Sequence, residues 1–117
     1  MPASVLIVDP SADNREVLRT ALASRGWTIL EAAAAKSGLE LVRRHHPQVI
    51  VADVDSELES DSLCEDLEAE ADHDGSRLII LGKPRPSRSF PGTQVVAKPY
   101  HFAPLVHTIE QLAAKAG

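Results

Sequence analysis

Short apolar runs alternate along this chain with segments of helical periodicity, and this alternation limits the possible folds more than any other feature. Four runs cover residues 5–8, 49–52, 78–81 and 95–97, and a more alternating segment covers residues 27–31. Apolar residues between the runs recur at spacings of three and four. This pattern predicts repeated βα units around a parallel sheet that is buried on both faces. A length of 117 residues is that of one domain, so we expect a single domain over 1–117 and no output domain.

The periodicity predicts five strands and the apolar faces of four helices. The predicted strands cover residues 4–9, 27–31, 49–53, 77–81 and 94–97. The first helix begins near Ser11 or Asp13 and has the apolar face Val17, Leu18, Ala21 and Leu22. The second has Ala35, Leu39 and Val42, and the third has Leu63, Cys64, Leu67 and Ala71. The last helix, over about 102–116, has Leu105, Ile109 and Leu112.

The segment from residue 83 to residue 92 breaks this pattern. It contains three prolines and has no helical periodicity. A helix there would lack a backbone donor at each proline, so we predict a loop or at most one turn.

Composition argues against several classes of function. The formal net charge is −5 and no basic stripe is visible, which argues against nucleic-acid binding. A single cysteine allows neither a disulfide nor a thiolate metal cluster, and we expect a reducing, cytoplasmic compartment. No apolar run reaches the roughly 20 residues of a membrane span, and the N-terminus lacks the layout of a signal peptide.

Charged residues follow three of the predicted strands. Asp9 ends the first strand after the apolar run 5–8, Asp53 ends the third, and Lys98 follows the fifth. The carboxyl ends of parallel strands open onto the crevice where ligands bind in α/β proteins. Two carboxylates there can bind Mg²⁺, which accepts a few carboxylate oxygens and keeps several waters. Asp53 could then attack a phosphoryl donor while Lys98 balances the charge of the phosphoryl group.

With these residues the chain resembles the receiver domain of bacterial response regulators over essentially its whole length. The resemblance rests on LIVDPSADNREVLRTAL, VIVAD, LIILGK and VVAKPY, in this order and spacing. It implies a flavodoxin-like (βα)₅ fold with strand order 2-1-3-4-5. It also implies that Asp53 is the phosphoacceptor, that Asp9 belongs to the metal pocket, that Lys98 contacts the phosphate, and that the backbone carbonyl of Asp55 ligates Mg²⁺. The peptide bond between Lys98 and Pro99 could be cis or trans.

The chain departs from the receiver pattern at several positions of the site. Pro10 replaces the second of two adjacent acids, which predicts weaker or lost Mg²⁺ binding unless Asp13 or the side chain of Asp55 compensates. Gly82 replaces the switch Ser or Thr at the end of strand four, and Val95 falls at the aromatic switch position. The interval from Gly82 to Lys98 is short, which fits loss of the family's fourth helix at about 83–92.

The resemblance predicts a non-enzymatic signalling module of a phosphorelay. The expected partners are a histidine kinase or phosphotransfer protein upstream and a separate effector protein downstream, without nucleic acid or membrane. The main alternative is a pseudo-receiver that has lost phosphoryl chemistry and serves as a protein-interaction module.

Two other interpretations of the acidic segment that begins at Asp53 have less support from the sequence. Asp53 and Asp55 match the nucleophile motif of haloacid-dehalogenase-type phosphatases, but that family places the motif near its N-terminus and needs a later pair of acids. Asp53, Asp55 and Glu57 have the alternation of an EF-hand loop, but Leu58 and Cys64 occupy positions that require Gly and Glu. The five histidines show no zinc-ligand spacing and are expected at the surface.

Overall fold

A computed structural model of the protein describes residues 3–53, 60–82, 93–97 and 100–116, with the backbone alone for 60–64 and 115–116. The elements follow one another as β1 (Ser4–Val8), α1 (Ala12–Ala23), β2 (Thr28–Ala32), α2 (Ala35–His45), β3 (Val49–Asp53), α3 (Ser60–Asp74), β4 (Arg77–Leu81), β5 (Thr93–Val96) and α4 (Phe102–Ala116). The predicted strands and the last helix agree with these bounds to within about one residue at each end.

The five strands form one parallel sheet in the order β2-β1-β3-β4-β5. This is the predicted flavodoxin-like order, and the predicted fold class is confirmed. β2 lies at one edge, as its alternating sequence indicates, and β3 lies in the centre with all five residues buried. The carboxyl ends of all five strands therefore meet at one edge of the sheet.

Helices cover both faces of the sheet, and the core has two halves. The first half packs under α2 and α3 and includes Leu6, Val8, Ile50 and Ala52 from the central strands. The second half packs under α1 and α4 and consists of Val5, Ile7, Leu18, Leu22, Trp27, Val49, Val51, Ile79, Leu81, Leu105, Val106 and Ile109. Successive residues of β1, β3 and β4 alternate between the halves because strand side chains alternate in direction.

The predicted helix faces are confirmed except at one described position. Leu18 and Leu22 are buried, but Val17 is 45% exposed, so the prediction that it faces the core is wrong. Val17 lies one position before Leu18, about 100° around the helix axis, and a narrow helix face cannot bury both. The side chains of Leu63 and Cys64 lie outside the described residues.

Helix α2 comes very close to β1 where it crosses the sheet. A Cβ atom built on Gly38 would lie 2.8 Å from the γ2 methyl carbon of Val8. Val8 is 1% exposed and is the residue before Asp9. Gly38 therefore allows the helix to pack directly on the strand that leads to the acidic edge.

The predicted loop at 83–92 lies outside the described residues. Among the residues that are described, no helix has the length and apolar character needed to cross a membrane.

Candidate functional site: an acidic edge between β1 and β3

Asp9 and Asp53 lie side by side at the carboxyl edge of the sheet. Val8 pairs with Ala52 in the parallel β1–β3 register, so the next residue along each strand is an aspartate. Neighbouring strands lie about 4.8 Å apart, which brings the two carboxylates close together. Asp9 is 2% exposed and Asp53 is 6% exposed. Strand alternation places both on the α1 and α4 side, in line with Ile7 and Val51.

The turn between β1 and α1 is built around Asp9. The backbone N–H of Ser11 donates to Asp9 Oδ1 at 2.8 Å, and Ser11 then caps α1 by accepting from the N–H of Asn14 at 3.2 Å. The N-cap of α1, at the positive end of the helix dipole, therefore lies two residues beyond Asp9. Pro10 is exposed between them and supplies no carboxylate.

Arg15 fastens this turn to the neighbouring strand. Its guanidinium donates to the backbone carbonyl of Asp9 and pairs with Glu31 of β2, with 3.3 Å between Arg15 Nε and Glu31 Oε1. Arg19 binds the other oxygen of the same carboxylate at 2.7 Å. No sequence pattern predicts this cluster, because Arg15 and Glu31 are distant along the chain and no motif joins them.

Gly82 follows β4 at the same edge and adopts a backbone conformation that favours glycine. Its φ is +146°, and its N–H donates to the carbonyl of Val96 in β5 at 3.0 Å. A residue with a Cβ is strained at such a φ. The backbone at position 82 therefore does not suit Ser or Thr, the residues that the resemblance would place there. Val95, which the resemblance predicts at the aromatic switch position, is 37% exposed on edge strand β5.

Tyr100 also belongs to this end of the molecule, although no sequence pattern predicts a role for it. Its ring packs against the core half under α1 and α4 and meets Phe102 edge-on, with 5.5 Å between ring centroids and 79° between planes. Burial raises the pKa of the Tyr100 hydroxyl, and the charges of Asp9 and Asp53 raise it further. The one available signal was its place two residues after Lys98.

Several residues proposed from the sequence do not enter this geometry. Lys98, Pro99 and Asp55 lie outside the described residues, so their roles stay predictions. Asp13 is exposed in the first turn of α1. All five histidines are exposed, as expected: His45, His46, His73, His101 and His107.

The two carboxylates suit a hard divalent cation better than a transition metal. Within the described ranges, no group of three or more His, Cys, Asp or Glu side chains could hold a metal ion. Mg²⁺ does not need such a group, because it binds through one or two carboxylates, waters and phosphate oxygens. Asp9 and Asp53 therefore fit Mg²⁺ with few protein ligands.

Comparison with curated proteins finds partial relatives. The chain is 30% identical over 69 residues to the probable transcriptional regulator ycf27 of Porphyridium aerugineum, which covers 58% of this chain and 29% of that protein. It is 30% identical over 80 residues to the ycf27 protein of Porphyra purpurea, covering 68% of this chain and 33% of that protein. The matches thus span about a third of these relatives. No protein-family model matches the chain.

Comparison with solved structures gives matches over nearly the whole chain. The chemotaxis protein CheY4 of Vibrio cholerae superposes with a TM-score of 0.78 at 19% identity, covering 96% of this chain and 99% of that one. The receiver domain of Francisella response regulator 1452 gives 0.78 at 20% identity, covering 98% and 99%. The receiver domain of the hybrid histidine kinase CckA gives 0.75 at 18% identity, covering 95% and 99%.

The chain has the fold of response regulator receiver domains, and the resemblance seen in the sequence is confirmed.

Proposed function

We propose that this receiver-like chain accepts a phosphoryl group on Asp53 and signals by contact with another protein. The observation that carries the proposal is the pair of buried carboxylates, Asp9 and Asp53, in register at the carboxyl ends of two central strands. Burial of two like charges at the carboxyl edge of the sheet destabilises the folded chain, and the packing of the core does not require either charge. A functional site explains why the carboxylates are there.

The proposed reaction is the transfer of a phosphoryl group to a carboxylate oxygen. An oxygen of Asp53 attacks the phosphorus atom, and the bond between phosphorus and the donor's leaving atom breaks. The leaving group departs with the electron pair of that bond and takes up a proton, and the product is a mixed acyl phosphate. Mg²⁺, bound by Asp9, Asp53 and the backbone carbonyl of Asp55, would neutralise charge on the phosphoryl oxygens. In this proposal, Lys98 contributes a second positive charge.

The proposed partners follow from this chemistry. A histidine kinase or phosphotransfer protein would supply the phosphoryl group, and a separate effector protein would bind the phosphorylated chain. We propose that residues 1–117 act as one receiver module without catalytic turnover of a substrate of their own. The ycf27 relatives are named as probable transcriptional regulators, but they match over about a third of their length. The net charge of −5 favours a protein partner over nucleic acid.

A phosphorylation-independent interaction module is the second candidate. It is favoured by two observations at the site, the proline at position 10 and the backbone of Gly82, whose φ of +146° disfavours a switch residue with a side chain. In that case the same fold would present a constant surface to its partner.

Mass spectrometry of the intact chain after incubation with acetyl phosphate and Mg²⁺ separates the two candidates. We expect the mass to rise by one phosphoryl group in the wild-type chain and in Asp72→Asn, a control at an exposed carboxylate of α3. We expect no increase in Asp53→Asn. An unmodified wild-type chain would refute phosphorylation and support the second candidate, and equal modification of Asp53→Asn would assign it to another residue.

A further inference from the structure

We propose that Tyr100 is a further residue of the acidic site and that its hydroxyl donates a hydrogen bond to the phosphoryl group on Asp53. This inference rests on the proposed function. In this proposal Tyr100 donates the hydrogen bond to the phosphoryl group that a Ser or Thr at position 82 would otherwise donate.

The packing of Tyr100 places its ring on the same side of the sheet as the two carboxylates. The ring packs against the core half under α1 and α4, and the strand alternation that builds this half leads to Asp9 in β1 and Asp53 in β3. Phe102 opens α4 and holds the ring edge-on at 5.5 Å. A ring held between a helix start and a core cannot swing freely, so its hydroxyl has a restricted range of positions.

The electrostatics of the phenol agree with this position. The charges of Asp9 and Asp53 both act on the Tyr100 hydroxyl, after burial as the larger cause, to raise its pKa. These aspartates come from two different strands and lie next to each other only at the carboxyl edge. Tyr100 follows the carboxyl end of β5 and precedes the start of α4, so it lies at the same edge. Its hydroxyl keeps its proton and remains a donor at neutral pH.

Other described groups at this edge are less suited to bind a phosphoryl oxygen. The hydroxyl of Ser11 accepts the Asn14 N–H that caps α1. The N–H of Gly82 donates to Val96 in β5. The Arg15 guanidinium is engaged by Glu31 and the Asp9 carbonyl. Tyr100 adds a neutral donor to a site that already contains two negative charges.

Binding of beryllium fluoride, a stable mimic of the phosphoryl group, tests the hydrogen bond. With Mg²⁺ present, the affinity of the full chain is measured for wild type, Tyr100→Phe and the control Thr108→Val, which removes a hydroxyl that donates to the α4 backbone carbonyl of Pro104. We expect Tyr100→Phe to weaken binding by about tenfold, as for one hydrogen bond to a charged group, and Thr108→Val to match wild type. Equal affinity of wild type and Tyr100→Phe would overturn the inference. A thermal melt of each variant checks that it is folded.

A second measurement does not require phosphoryl chemistry. The chain has one tyrosine, so ¹³C-tyrosine labelling gives one set of ring signals. We expect Asp53→Asn to shift these signals and the control Asp72→Asn, at an exposed position of α3, to leave them unchanged. No shift in Asp53→Asn would remove Tyr100 from the site. Asp53→Asn could also shift the ring signals while the wild-type chain binds no beryllium fluoride. That result would keep Tyr100 at the edge but would refute both the proposed function and the hydrogen bond from Tyr100 to the phosphoryl group.

Discussion

Replacing Gly38 with alanine tests the close packing of α2 on the strand that carries Asp9. In an exposed helix interior, alanine in place of glycine stabilises a protein by about 1 kcal/mol. At position 38 the new Cβ would lie 2.8 Å from the γ2 methyl carbon of Val8, closer than carbon atoms pack. Val8 is 1% exposed and β-branched, so its methyl group has little room to move.

The expected sign follows from comparing these two effects. Overpacking a closed core costs about 1–3 kcal/mol, which exceeds the gain in helix propensity over most of that range. We therefore expect Gly38→Ala to lower the free energy of unfolding by about 1 kcal/mol, measured by urea denaturation followed by circular dichroism.

The double variant identifies the cause. Val8→Ala removes the methyl groups that the new Cβ would meet, so in that background Gly38→Ala should stabilise the protein by about 1 kcal/mol. The control Lys36→Ala, at an exposed position on the same helix, should change stability by less than about 0.5 kcal/mol. If Gly38→Ala stabilised the otherwise wild-type chain, the reasoning would be refuted, because the contact with Val8 would then cost less than the gain in helix propensity.

Two further predictions concern the acidic edge. The absorbance of the single tyrosine at alkaline pH should show a pKa for Tyr100 above its usual value of about 10. Asp53→Asn should lower that pKa, because it removes one of the charges that raise it. The same pKa in Asp53→Asn and wild type would contradict the electrostatic coupling. Because the pKa is higher in the folded state, the stability linked to Tyr100 should be complete below about pH 10 and should be lost as the pH rises through the folded-state pKa. Ser11→Ala should lower the free energy of unfolding by about 1 kcal/mol in urea denaturation, because it removes the N-cap of α1. The control Ser37→Ala, at an exposed position early in α2, should have a smaller effect. Equal losses in the two variants would contradict the capping role of Ser11.

Most of the fold could be predicted because its signals are local. Exposing four-residue apolar runs such as 49–52 and 78–81 to water is unfavourable, so these runs are expected to be buried. Their length and flanking residues favour buried strands over helices. Asp53 at the end of such a run identifies the carboxyl edge in the same way. Val17 was misassigned because periodicity allows neighbouring residues on a helix face, whereas the width of the packed interface decides which one is buried.

The site was less predictable because its contacts join distant parts of the chain. Residue identity shows that Gly82 lacks a hydroxyl, but its φ of +146° depends on the hydrogen bond to β5. The pairing of Arg15 with Glu31 depends on β2 lying beside β1. Tyr100 carries no motif of its own, and its relation to the acids appears only when the strands are assembled.

The sequence by itself determined the parallel α/β architecture and the presence of carboxylates at two strand ends, because strand formation and burial depend on residue type and periodicity. The tertiary structure decided the register that brings Asp9 beside Asp53, the packing of Gly38 on Val8 and the packing of Tyr100 against the core half under α1 and α4. Electrostatic and packing energies depend on distances between atoms, and those distances are set when the separate βα units pack into one sheet.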